Sequence, residues 1–139
     1  MLYIDTSVLV AYYCPEAISE QVEDILINTS KPAISHLTEI ELVSAVSRKI
    51  RDKALTQEQG NKIVSQFNTH IDQKSYTYLP LQSIHYLTAR DWIAQFNTPL
   101  RTLDALHLAI ATKSNIPILT ADLKFAKSAK ILGVEIITV

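Results

Sequence analysis

Four short apolar runs, LYID (2–5), PAIS (32–35), PILT (117–120) and VEIITV (134–139), alternate along the chain with much longer stretches of helical spacing. Each run has the length of a strand, carries β-compatible residues and has turn or breaker residues nearby. A strand that is apolar throughout must be covered on both faces, and helices between successive strands supply that cover. The helical stretches are SEQVEDILIN, TEIELVSAVSRKIRDK, TQEQGNKIVSQFNTHIDQ, QSIHYLTARDWIAQF, TLDALHLAIATKSN and DLKFAKSAKIL. YTYLP (76–80) adds a short strand or an extended connector. The pattern predicts a three-layer α/β/α sandwich around a short-stranded parallel sheet.

The length, 139 residues, suits one domain, residues 1–139, with a core large enough to need no disulfide or structural metal. No repeat, low-complexity run or linker divides it, and its two glycines are Gly60 and Gly133. With 13 Lys plus Arg against 14 Asp plus Glu, the chain has no global attraction for a polyanion, so RNA or DNA must meet a local basic patch. One cysteine, Cys14, excludes an internal disulfide, and no paired Cys or His spacing suggests zinc. The N-terminal MLYIDTSVLVAYY carries Asp5 and lacks the basic region and cleavage site of a signal peptide. No apolar run approaches the ~20 residues of a membrane span. These features lead us to expect a soluble protein of the reducing cytoplasm, with no membrane association.

The acids fall at significant places. Asp5 ends the first strand, Asp122 follows the ILT of a late strand, and Glu41 and Asp104 lie near helix starts. In an open parallel sheet, strand C-termini and the following helix N-termini share the edge where such folds bind ligands. Each acid alone has a plain structural reading. Thr38-x-x-Glu41 matches a capping box, Asp122 and Asp5 can each cap the helix that follows, and Asp104 suits its own helix dipole. Four together argue differently, because clustered carboxylates repel one another unless a cation neutralises them. Oxygen-only donors suit Mg²⁺ or Mn²⁺, and such ions serve phosphodiester chemistry. Convergence also carries a stability signature: removing the Asp5 charge should stabilise the metal-free fold, whereas removing a mere cap should not.

Four segments, YIDTSVLVAYY, SHLTEIELVSAVSRK, LRTLDALHLAIA and ILTADLKFAKSAKILGVEI, occur in an order and at separations that resemble a PIN-domain nuclease, specifically the VapC-type toxins of bacterial toxin–antitoxin pairs. The resemblance runs almost end to end. It implies that Asp5, Glu41, Asp104 and Asp122 form a catalytic quartet that binds Mg²⁺ or Mn²⁺, with Thr6 or Ser7 and Thr120 as polar support. It further implies hydrolysis of RNA by metal-activated water, a homodimer, and a small cognate antitoxin that covers or disrupts the acidic pocket. Periodicity alone does not choose Glu41, since Glu39 falls nearer a stripe of Val43, Val46 and Ile50. The family frame Ser35-x-x-Thr38-x-x-Glu41 selects Glu41, and the small Ala45 one turn later leaves room for close approach. Either Asp104 or Asp122 could orient or deprotonate the water.

Arg101, beside the Asp104 helix, and Lys124 and Lys127, near Asp122, are candidates to hold RNA phosphates. Arg48, Lys49, Arg51 and Lys53 read as a solvated helix end favoured by the dipole. His107, inside ALHLA, reads as a packed or hydrogen-bonded helix residue outside the site, and His36, His70 and His85 as ordinary polar residues. Tyr12, Tyr13, Trp92 and Phe96 read as core rather than as stacking platforms. An aspartyl phosphatase needs a second acid two residues after the first, where this chain reads Asp5-Thr6-Ser7. A receiver domain needs adjacent acids after its first strand and a lysine after its last, and neither is evident. The remaining alternative is a catalytically silent PIN-fold module that binds nucleic acid or protein, against which the intact quartet argues.

Overall fold

The computed structural model describes residues 1–139. In chain order the elements are β1 (Leu2–Ile4), α1 (Thr6–Tyr13), α2 (Ser19–Ile27), β2 (Pro32–Ile34), α3 (His36–Arg51), α4 (Gln57–Asp72), β3 (Thr77–Tyr78), α5 (Ser83–Ile93), α6 (Thr102–Lys113), β4 (Ile118–Thr120), α7 (Leu123–Ile131) and β5 (Ile136–Thr138). The strands form one parallel sheet in the order β3-β2-β1-β4-β5, with Tyr3 in register with both Ala33 and Ile118. The segment YTYLP supplies the short edge strand β3.

Alternation along the strands sorts the helices into two layers. Ile4, Ile34 and Leu119 point into a cluster with Val8, Leu42 and Phe67, from α1, α3 and α4. Their sequence neighbours Tyr3, Ala33 and Ile118 point the opposite way, among Ala89, Leu108 and Phe125 of α5, α6 and α7. All six strand residues are completely buried. Burial of this kind stabilises by about 1.5–3 kcal/mol for each large aliphatic side chain. The observed architecture is the expected α/β/α sandwich, and no helix is long and apolar enough to cross a membrane.

The strands are shorter than their apolar runs because their ends become helix caps. Asp5 and Ser35 leave the sheet and occupy the N-cap positions of α1 and α3. The Ser35 backbone N–H donates to Thr38 Oγ1 at 3.2 Å, so Thr38 reaches back to the cap and the expected Thr38–Glu41 capping box does not form. Helix α3 therefore starts two residues before Thr38, and its buried face is Thr38, Leu42 and Val46. Val43, expected in the buried stripe, is 45% exposed. At Gly60 of α4 an added Cβ would lie 2.5 Å from Ile50 Cδ1 and 3.2 Å from Val46 Cγ1, so the bare backbone permits close approach to α3. Tyr13 is core, as expected. Phe96 is not: it sits at φ +53° in the turn that ends α5 and is 90% exposed.

The chain leaves β1 into α1 on one face of the sheet and leaves the adjacent β4 into α7 on the other. Neighbouring strands whose connections diverge in this way open a crevice at their C-terminal ends. Asp5 and Asp122 stand at that edge.

Candidate active site

A cleft of about 590 Å³ opens there, and Glu41, Arg101, Asp104, Asp122, Lys124 and Ser128 contribute to its lining. Three of the four sequence-selected acids thus face one space from three helices, α3, α6 and the start of α7. Asp5 is not part of the lining and is only 6% exposed. Its Oδ2 accepts the hydroxyls of Ser7 at 2.6 Å and Thr120 at 2.7 Å, which leaves Oδ1 without a protein donor. Although Asp5 occupies the α1 N-cap position, its side chain makes no cap hydrogen bond.

Asp122 does cap its helix. Its Oδ1 accepts from the backbone N–H groups of Lys124 at 3.0 Å and Phe125 at 3.1 Å. Capping and cleft lining coexist in this residue because the cap engages one oxygen. Thr120 links the two junctions: its hydroxyl donates to Asp5 and accepts from the Asp122 backbone N–H at 3.0 Å. Ser7 also accepts from the Ala121 backbone N–H at 3.0 Å, tying α1 to the β4–α7 turn. Ser7 and Thr120 thus both hydrogen-bond the Asp5 carboxylate. The buried Thr6 hydroxyl has no hydrogen-bond partner.

Glu41 and Glu39 diverge because two helical positions turn the chain by about 200°. Glu39 pairs with His36 Nδ1 at 2.9 Å and lies away from the cleft lining. Glu41 faces the cleft and hydrogen-bonds through Oε1 to Nε2 of His107. His107 is completely buried, and its Nδ1 lies 2.6 Å from the Tyr3 hydroxyl, which in turn lies 2.8 Å from Ser35 Oγ. The sequence reading of His107 as a packed or hydrogen-bonded helix residue agrees with this, and its bond ties it to Glu41 of the cleft. A histidine in an otherwise apolar helix needs buried partners, and that requirement was the available signal.

Crowding has an electrostatic consequence at Asp104, in the first turn of α6. Burial, followed by the charges of Asp5 and Asp122, pushes its carboxyl up from 3.8 to about 6. The shift exceeds what its helix-dipole position alone would allow, since the dipole favours the ionised form. Among the bases, Arg101 and Lys124 line the cleft and Lys127 does not. Lys124 and Ser128, one turn apart, carry the cleft-facing side of α7, so Lys127 lies off that face.

No three His, Cys, Asp or Glu side chains lie close enough together to constitute a metal-binding cluster as they stand. The donor set still suits a hard divalent cation. Its members are carboxylates, and Mg²⁺ is commonly held by one or two of these together with waters and substrate phosphate rather than by a closed protein cage. The Asp104 carboxyl is raised first by burial and then by the charges of Asp5 and Asp122, and a cation would offset both.

The turn after β1 lacks the glycine-rich loop of a dinucleotide binder, and acidic side chains line the cleft at the switch point instead. Residues 2–131 match the PIN domain model, and the chain belongs to the PIN-domain family. Among solved structures it is similar to VapBC2 from Rickettsia felis bound to a DNA fragment from their promoter, at 20% identity over 100% of this chain and 99% of that one, with a TM-score of 0.70. VapC20 from Mycobacterium tuberculosis, a sarcin–ricin loop cleaving toxin, aligns at 14% identity over 92% of this chain and 95% of that one, with a TM-score of 0.73. VapBC-5 from M. tuberculosis, a member of the VapBC family of toxin–antitoxin systems, aligns at 22% identity over 99% and 97%, with a TM-score of 0.67. These likenesses establish the fold. No curated protein matches the sequence itself.

Proposed function

We propose that this chain is a VapC-type toxin, a single-domain cytoplasmic endoribonuclease dependent on Mg²⁺ or Mn²⁺ and held in check by a small antitoxin. The observation that carries the reading is the meeting of Glu41, Asp104 and Asp122 around one cleft, with the charge of Asp5 felt at Asp104. The fold shared with VapC20, a sarcin–ricin loop cleaving toxin, supports the substrate class.

Asp5, Glu41, Asp104 and Asp122 would hold the cation. When bound, it supplies Lewis acidity and neutralises charge at the scissile phosphate. Ser7 and Thr120 fix the Asp5 carboxylate from one side, so its free oxygen keeps a constant direction. Asp104 or Asp122, both on the cleft lining, would orient or deprotonate the attacking water. Arg101 and Lys124 bind backbone phosphates on the cleft wall, without reading sequence. Lys127, off the lining, is left out of this role.

The choice of Glu41 is tested by paired substitutions. Glu41→Gln is expected to fold normally and to lose RNA cleavage by about tenfold or more, the scale for a disturbed metal shell, while Glu39→Gln retains it. An inactive Glu39→Gln beside a normal Glu41→Gln would show that the wrong acid was chosen.

In cells, the chain expressed alone is expected to slow growth with breakdown of RNA, and co-expression of its antitoxin to restore growth. Light scattering is expected to give twice the mass of one chain. Growth unaffected by expression, with RNA bound in vitro and left intact, would favour the silent binding module. A fully active protein that stays monomeric at high concentration would contradict the dimer.

A further inference from the structure

Glu41 is a long, flexible side chain whose one hydrogen bond to the protein comes from His107. We infer that His107 is the positioning residue for the Glu41 carboxylate, and that Tyr3 selects the imidazole tautomer through which it acts. The inference rests on the nuclease reading, in which Glu41 helps hold the cation.

His107 stands one turn after Asp104 on α6, so a single helix brings one acid to the cleft and orients another that comes from α3. An ionised carboxylate only accepts hydrogen bonds, so Nε2 must carry the hydrogen that Glu41 receives. A neutral imidazole has one N–H, and Nδ1 is then an acceptor. The Tyr3 hydroxyl, 2.6 Å away, is the only side-chain group bonded to Nδ1 and must donate to it. The Ser35 hydroxyl, 2.8 Å from Tyr3, completes a directed chain from Ser35 through Tyr3 and His107 to Glu41. Ser35 is also the N-cap residue of α3, the helix that carries Glu41. The chain thus closes on itself through β1, the β2–α3 junction, α6 and α3. A carboxylate held in this way presents its remaining oxygen to the cleft in one direction, the usual service of an outer partner to a metal ligand.

Three variants, Tyr3→Phe, His107→Gln and His107→Leu, test the role, each checked for folding by circular dichroism. Nitrogen-15 NMR of the wild-type imidazole is expected to show the Nε2–H tautomer of His107, with Tyr3→Phe shifting the population toward Nδ1–H. Calorimetric titration with Mn²⁺ is expected to show about 10–100-fold weaker binding in His107→Leu, with RNA cleavage reduced in parallel. His107→Gln, which still offers an N–H toward Glu41, is expected to recover most of that loss. An Nδ1–H tautomer in the wild type overturns the inference, as does a folded His107→Leu with wild-type Mn²⁺ affinity, or a His107→Gln no better than His107→Leu. If His107→Leu does not fold, the tautomer and the Mn²⁺ affinities of the other two variants decide. A wild-type protein that neither binds Mn²⁺ nor cleaves RNA overturns the nuclease reading and this role together. One that does both while failing any arm above overturns the role alone.

Discussion

Asp104→Asn is expected to reduce RNA cleavage by on the order of a hundredfold or more, the scale for losing a group that acts on the reacting atoms. The substitution preserves shape and leaves α6 intact, because Asp104 makes no cap hydrogen bond there. What it removes is a negative charge and a carboxylate that lines the cleft. Arg101 and Lys124 remain, so RNA binding is expected to survive while the chemical step fails. Single-turnover cleavage measured beside a binding titration separates these effects. Weakened binding with an unchanged rate would move Asp104 from the chemistry to the phosphate-binding wall.

The same substitution is expected to stabilise the metal-free protein at neutral pH, an unusual outcome for a buried-site mutation. The folded carboxyl of Asp104 titrates near 6, above its ordinary 3.8, so between those values the folded state holds a proton that the unfolded chain has released. Stability must therefore fall as pH rises through that window, and above it the full penalty is present. Asp104 is partly exposed, so solvent screening reduces the effect, and a gain of roughly 3–6 °C in Tm is expected for Asp104→Asn in chelator at pH 7.5. The gain should vanish toward pH 4, where both proteins are uncharged at this position. Mn²⁺ should reverse the order, because a ligand present at 100 times its Kd stabilises the wild type by about 2.7 kcal/mol and the variant has lost a binding group. A variant less stable than wild type in chelator at every pH would mean that the carboxylate serves only the helix dipole. Asp5→Asn, the variant suggested by sequence, is a poorer probe. Ser7 and Thr120 both donate to Asp5 Oδ2, so its replacement also disturbs two short bonds to a charged acceptor.

Much of this was legible in the linear chain for definite reasons. Strands apolar on both faces require a sheet covered on both sides, and the alternation Tyr3/Ile4, Ala33/Ile34 and Ile118/Leu119 divides its residues between the two layers. The acids were legible as strand ends and helix starts, and these positions gather at one edge of any parallel sheet. The register of α3 was not. A stripe through Val43 is as regular on paper as one through Leu42, and only the cap at Ser35 fixes which face is buried. The choice of Ser7 over Thr6 depended on Thr120 arriving from β4, far along the chain. Tyr3 looked like one more apolar residue of a strand, and His107 like one polar residue of a helix. Their partners lie across the fold, with Glu41 separated from His107 by 66 positions, and helical periodicity carries no information about such meetings.

The central claim, that the acidic cleft cleaves RNA with a divalent cation, is tested most directly by one titration. Purified protein is stripped with chelator, mixed with RNA, and assayed for cleavage as Mn²⁺ is added back. No cleavage is expected in chelator, followed by a saturable rise with Mn²⁺. Full cleavage in excess chelator, or none at any Mn²⁺ concentration with a panel of structured and unstructured RNAs, would contradict the account.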